Sequence, residues 1–288
     1  MLNFLLSYQS TLDTILIFSF VALSQFIALR AGLFALSTAG FVAIGAYTAA
    51  IFATVLHLHP VVCVVSAVAA ATVVGGLLSI PLARLRGHFQ AIATLAFVEI
   101  VRNMALYFEG LTGGARGING IPKVVSSEYL LPTLVGLVVL LMIIGKTGIG
   151  RAFDAVRQDD TVARSLGISV SYYHTLGFCL SAAIGGLGGA LLAFGTYSIT
   201  PEEFGFPLIV SSIGAVVLGG RNAVAGPIVG TAVLILLPEV ARPLADNRIL
   251  LYGAVLILAI TYLPRGLVDS FHFRRRPKDA VVAQEAAS

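Results

Sequence analysis

From Ala31 to Ala83 the chain carries no Asp, Glu, Lys or Arg. That single run is more than twice the roughly 20 apolar residues with which a helix crosses a hydrocarbon core. Comparable charge-free runs extend from Ser165 to Pro201 and from Ile249 to Pro264. A soluble domain spends about a quarter of its residues on charge to cover its surface, whereas only 11% are charged here. The expected fold is all-α: a polytopic transmembrane bundle forming one domain over residues 1–288.

Breaks containing charge, Gly or Pro divide the chain into about nine expected spans, with a range of eight to ten: 11–29, 33–56, 61–83, 88–108, 129–145, 172–197, 204–220, 223–241 and 249–264. Nine helices of about 20 residues use most of the 288 positions, so no separate globular domain fits. Residues 31–56 contain Gly32, Gly40 and Gly45 with Ser37, Thr38 and Thr48. Two readings stay open: a broken helix covered by protein, or a small-residue helix packed closely on its neighbours. Met1 to Leu29 has no Lys or Arg and one acid, Asp13. It lacks the basic start of a signal peptide and reads as a permanent first span with its N-terminus outside.

Threading the spans alternately sorts the 18 Lys and Arg residues. Arg30, Arg84, Arg86, Lys146, Arg151, Arg157, Arg164, Arg221, Arg265, Arg274, Arg275, Arg276 and Lys278 fall on one side. Arg116, Lys123, Arg242 and Arg248 fall on the other, and Arg102 lies within a span. The positive-inside rule makes the first side cytoplasmic, together with a tail at 270–288. The net charge of +4 is scattered over loops and tail rather than gathered on a face for nucleic acid. Cys63 and Cys179 sit in apolar runs as small hydrophobes. His57, His59, His88, His174 and His272 lack ligand spacing, and no Ser or Cys sits in a nucleophile motif. No metal, cofactor or catalytic residue is expected.

Two segments depart from lipid-facing composition. Lys146 to Ser171 holds four basic and three acidic residues. Its apolar positions, Phe153, Val156, Ala163 and Leu166, recur among charges in a helical pattern. Asp159 suits the cap of a turn beginning at Asp160, and Gly167 suits a left-handed stop. One or two short amphipathic helices on the cytoplasmic face follow, either resting on lipid or, given the mixed charge, docking a partner. Glu109 to Pro122 carries five glycines, at 110, 113, 114, 117 and 120, interleaved with Thr112, Arg116 and Asn119. Within an outside loop, 109–128, this is either a flexible linker or tightly turned backbone that approaches another molecule closely.

These residues carry a resemblance. LTGGARGINGIP, Leu111 to Pro122, resembles the LTGG-x-x-GI-x-x-IP segment of LivM-type permease subunits of branched-chain amino-acid ABC importers (the LivH/LivM family). GRAFDAVRQDDTVARSLGI, Gly150 to Ile168, is similar to that family's coupling loop, and LGGRNAVAGPIVG, Leu218 to Gly230, to its LGG-x-x-x-x-x-GP-x-x-G run. The resemblance implies a multi-pass subunit of the bacterial inner membrane that forms a pathway with a second permease subunit, as a homodimer or heterodimer. It also implies two ABC ATPase subunits inside and a periplasmic substrate-binding protein outside. The ATPase-coupling candidates are then Arg151, Phe153, Asp154, Val156, Arg157, Asp159, Asp160, Leu166 and Gly167, with Phe153, Val156 and Leu166 as apolar anchors. Candidates for the binding-protein side are Thr112, Gly113, Gly114, Arg116, Gly117, Glu202 and Glu203. Branched-chain or other neutral amino acids are the expected cargo. A urea or short-amide importer is the alternative within the class, and an ion-coupled secondary transporter or channel the alternative outside it.

Gly145-Lys146-Thr147 invites a phosphate-loop reading, but the motif needs glycine five positions before Gly145, where Leu140 stands. ATP hydrolysis is therefore expected from partners. Glu99 and Arg102, three residues apart, share a helix face within a span. Either the pair fixes helix packing, or it contacts a zwitterionic substrate or gate. Ser181, Gly185, Gly189 and Ala193 recur every four residues, a small-residue stripe expected to pack helices.

Overall fold

The computed structural model describes residues 2–82, 85, 87–125, 127–240, 253 and 266–268. Helix α1 (Leu2–Arg30) ends where the charge-free run begins. Gly32 takes a φ of 79°; its N–H donates to Leu29 O and the Leu33 N–H to Ala28 O, which satisfies the open carbonyls of the last turn. The chain then runs without regular structure to Ser37 before α2 (Thr38–Thr54) begins. The expected 33–56 span is thus irregular up to Ser37 and helical from Thr38, and Ala31, Leu33, Ala35 and Ser37 along the irregular stretch 31–37 are all buried.

The remaining helices are α3 (Pro60–Leu82), α4 (His88–Tyr107), α5 (Glu109–Thr112), α6 (Ser127–Lys146), α7 (Gly148–Gln158), α8 (Asp160–Ser165), α9 (Val170–Thr196), α10 (Phe206–Gly219) and α11 (Ala225–Val240). Short 3-10 turns occupy Gly114–Arg116 and Pro201–Phe204. Residues 10–30 of α1 and the whole of α3, α4, α6 and α9 are long and apolar enough to cross a membrane. Helices α2, α10 and α11 have 17, 14 and 16 residues. At 1.5 Å per residue they rise only about 26, 21 and 24 Å, short of the roughly 30 Å hydrocarbon core. The ninth expected span, 249–264, apart from Gly253, and the tail at 270–288 lie outside the described residues. So do Arg84, Arg86, Arg242, Arg248, Arg265, Arg274, Arg275, Arg276 and Lys278.

Helix α9 is the axis, packed on α1, α2 and α3. Its small residues let neighbouring backbones approach. Ser181 exchanges hydrogen bonds with Ser24 of α1, Oγ to carbonyl in both directions at 2.7 and 2.9 Å. A side chain on Gly189 would strike the Val42 carbonyl of α2, and Ala193 is wholly buried. Helix α3 meets α9 through Cys63, Ala67, Ala71, Gly75 and Ser79, each four residues apart. Its outer face, with Val61, Val65, Val73, Leu77 and Ile80, is open and apolar. Helices α10 and α11 form an antiparallel hairpin in which Gly219 lies against Gly226 and Ala215 against Gly230. Helix α6 touches α1 and α7, burying Leu130, Leu134, Leu137 and Leu141 along one stripe.

Candidate functional site

One end of the bundle is built around α7 and α8. Gly150 abuts the Gly145 carbonyl, so α6 turns sharply into α7. The apolar face of α7 turns inward. Phe153 is 1% exposed and meets Tyr173 edge-on at 6.1 Å, while Val156 is 2% exposed and clusters with Ala163 and Val170. This corrects the expectation that Phe153 and Val156 anchor a partner: both are consumed by the chain's own core. Leu166, 71% exposed, remains available, and Val162, unremarked in the sequence, joins it at 55%.

The polar residues of this end divide in the same way. Arg30 pairs with Asp154 at 3.3 Å. Arg157 reaches across to the Arg221 carbonyl at 3.4 Å and Asn222 Oδ1 at 3.2 Å, tying α7 to the α10–α11 connection. Asp159 accepts from the Thr161 and Val162 N–H groups at 2.7 and 3.1 Å and caps α8. Those two backbone donors, Val162 foremost, hold its carboxyl below the usual carboxylate range. Gly167, at a φ of 78°, closes α8 with its N–H on Arg164 O and the Ile168 N–H on Ala163 O. Arg151, Arg157, Asp159, Arg164 and Gly167 are exposed, as Leu166 is, and Asp160 is half-buried.

The opposite end is the glycine-rich segment, and it is an ordered cap rather than a linker. Ile118–Asn119 (β1) pairs antiparallel with Ser198–Ile199 (β2), Ile118 opposite Ile199. Gly117, at a φ of 66°, lies so close to the Ile199 carbonyl that no side chain fits. The Thr112 hydroxyl bonds the Ala105 and Phe108 carbonyls at 2.5 and 2.8 Å. Thr112, Gly114 and Gly117 are therefore buried structural members, while Gly113, Arg116, Glu202 and Glu203 are exposed. Desolvation by the surrounding chain raises the Glu203 carboxyl above its usual range, opposed by a bond from the Thr200 hydroxyl at 3.2 Å.

Between the two ends, Glu99 Oε2 accepts from Arg102 Nη1 at 3.2 Å. The pair sits on α4, whose outer face forms an open groove of about 650 Å³ lined by Glu99, Ile100, Asn103, Met104, Tyr107 and Phe108. Arg102 Nε is buried with no hydrogen-bond partner among the described residues. The sequence reading missed Gln25, Gln90 and Thr94, three buried polar side chains that serve the irregular segment between α1 and α2. Only their presence in apolar runs could have marked them, because buried polar groups require partners.

Residues 7–260 match the family described as the permease component of the branched-chain amino acid transport system. The chain belongs to this family. It is similar to the high-affinity branched-chain amino acid transport system permease protein LivM of Salmonella typhimurium, at 32% identity over 82% of this chain and 64% of that protein. It is also similar to the LivM protein of Escherichia coli, at 30% identity over 89% of this chain and 68% of that one. The autoinducer 2 import system permease protein LsrD of Yersinia enterocolitica is 30% identical over 70% of this chain and 68% of its own length. The chain thus spans about two thirds of the length of the curated relatives it matches. No solved structure matches it. The permease match runs from α1 through α11 and so takes in both ends of the bundle and the α4 face between them.

Proposed function

We propose that this membrane permease is one subunit of an ATP-driven ABC importer, forming the pathway with a second permease subunit and carrying branched-chain or other neutral amino acids. Two ATPase subunits supply hydrolysis and a periplasmic binding protein delivers substrate. The observation that carries this reading is the α7–α8 corner in a chain of this family. It is fixed to the bundle by Phe153, Val156, Arg30 and Arg157, and it leaves Val162 and Leu166 exposed in a segment whose other exposed residues carry both charges. Apolar anchors ringed by charge are what a docked protein subunit engages.

On this reading 146–171 is the cytoplasmic coupling loop, and the protein lies in the bacterial inner membrane with its N-terminus outside and its tail at 270–288 inside. Arg30, Lys146, Arg151, Arg157, Arg164 and Arg221 gather at the coupling end, as the positive-inside rule asks. The opposite end, the loop 109–128 with the Pro201–Phe204 turn, takes the binding protein through Gly113, Arg116, Glu202 and Glu203. The α4 groove is assigned to the pathway. Glu99 and Asn103 on an open mid-span face would meet lipid at a cost of about 2.5–3.5 kcal/mol for an isolated charge, a cost the wholly apolar outer face of α3 avoids. Substrate class rests on the amino-acid relatives, against which the autoinducer relative shows that permeases of related sequence serve other cargo.

The test is uptake into proteoliposomes holding the chain with its partner permease, ATPases and binding protein. ATP-dependent uptake of leucine, isoleucine or valine is expected. Uptake driven by an ion gradient in vesicles holding this chain alone would overturn the reading.

A further inference from the structure

Irregular backbone inside a membrane bundle must have its polar groups met by protein, and here two helices meet them. Gln25 of α1, fully buried, donates from Nε2 to Ala35 O at 3.0 Å and accepts from the Thr38 hydroxyl at 2.6 Å. From α4, Gln90 Oε1 accepts the Phe34 N–H at 3.1 Å and Thr94 Oγ1 accepts the Leu36 N–H at 2.9 Å. Gln90 and Thr94 are one helical turn apart, so they grip alternate peptides of the segment from one face.

The other side of the same segment rests on α7. A side chain on Gly32 would lie 3.2 Å from Arg157 Cα and 3.5 Å from Val156 Cγ1. Leu33 and Ala35 share a buried cluster with Phe153, and Arg30, immediately before the segment, holds Asp154. Residues 31–37 are therefore in contact with α7 on one side and hydrogen-bonded to α4 on the other. Gln90 Nε2 is buried without a partner among the described residues.

We infer that residues 31–37 are the link by which displacement of α7 reaches α4, with Gln90 and Thr94 as positioning residues that make α4 follow the segment. The inference rests on the proposed function, since α7 moves only if an ATPase drives it. A shift of α7 carries Gly32 with it. The Phe34 and Leu36 peptides then carry the first turns of α4, and α4 carries Glu99 and Asn103.

The test uses the complete transporter in proteoliposomes, with ATP hydrolysis and uptake measured on the same sample. Gln90→Leu and Thr94→Val remove the acceptors at nearly constant volume. Binding-protein-stimulated hydrolysis is expected to stay within twofold of wild type while uptake per ATP falls at least fivefold, and Thr94→Ser restores the ratio. Thr133→Val, on the exposed face of α6, leaves it unchanged. An unchanged ratio in assembled Thr94→Val, or a loss that Thr94→Ser shares, would overturn the link.

A second measurement does not depend on the polar variants folding. The Phe34 and His88 rings lie 6.3 Å apart. Cysteines at these two positions, with Cys63→Ala and Cys179→Ala, can be joined by a short crosslinker. If segment and α4 move as one, the tethered transporter keeps its uptake per ATP; loss of uptake with continued hydrolysis, reversed on cleaving the tether, would refute this. Wild-type vesicles without ATP-driven uptake would remove the parent reading and the link together. Normal wild-type uptake with unaffected Thr94→Val would remove the link alone.

Discussion

Arg30, the last residue of α1, forms an ion pair at 3.3 Å with Asp154 of α7, 124 positions further along the chain. Gly145 makes room for the guanidinium, since a side chain there would lie 2.9 Å from Arg30 Nη1. Three separate stretches thus meet at one cation, which is only 14% exposed. Removing Asp154 leaves that cation without its acceptor. Asp154→Ala is expected to destabilise the subunit by about 1–3 kcal/mol, read from unfolding of the purified protein in detergent. A double-mutant cycle with Arg30→Ala should return most of that as coupling energy; a coupling near zero would mark the pair as ornamental.

Glycine substitutions should divide by what surrounds them. Gly189→Leu drives a side chain into the Val42 carbonyl of α2, and Gly45→Ala into the backbone at Gly186 of α9. Both are expected to lower the yield of assembled transporter before they touch substrate preference. Among the described residues nothing lies within 4 Å of the position a side chain would take on Gly136 of α6, so Gly136→Ala should assemble at wild-type levels. Size-exclusion profiles of the three variants check this, and wild-type assembly of Gly189→Leu would contradict it.

The ion pair on α4 separates packing from passage. Glu99→Gln alone leaves Arg102 without its carboxylate, whereas Glu99→Gln with Arg102→Gln removes both charges together. The double variant is expected to assemble and to lose at least tenfold in uptake, because its groove no longer presents charge to a zwitterion. Wild-type uptake by an assembled double variant would return the pair to a packing role.

Much of this fold could be read from where charge is absent. The runs at 31–83 and 165–201 announced buried or membrane helices, and the local chemistry of Asp159 and Gly167 announced the ends of α8, because caps are decided by neighbours a few residues away. What escaped was everything settled by distant contacts. The apolar stripe of α7 is visible in the sequence, but whether Phe153 and Val156 meet a partner or their own core depends on α9 and its Tyr173 and Val170. The glycines after Glu109 looked equally like a linker until Ile199 supplied the strand that Ile118 pairs with. Gln90 and Thr94 look unexceptional in a row because the peptides they hold, Phe34 and Leu36, are 56 and 58 positions away.

The cap of α8 predicts a pH response. Backbone donors hold the Asp159 carboxyl below its usual value, so the folded state favours the ionised form. The stabilisation is complete above the unfolded carboxylate value of about 4 and fades as pH falls through the lower folded value. Hydrogen exchange at the Thr161 and Val162 amides should accelerate across that window relative to the rest of the chain. Asp159→Asn, which keeps an acceptor oxygen but does not titrate, should show no such step.

The central claim is that the α7–α8 corner receives the ATPase while the glycine-rich cap faces outward, and site-directed cysteines test it most directly. In a chain carrying Cys63→Ala and Cys179→Ala, Leu166→Cys is predicted to crosslink to the ATPase subunit in assembled transporter and to resist a membrane-impermeant maleimide added to intact cells, while Arg116→Cys is labelled from outside and never reaches the ATPase. Labelling of Leu166→Cys from outside, with the ATPase crosslinking at Arg116→Cys instead, would contradict the account.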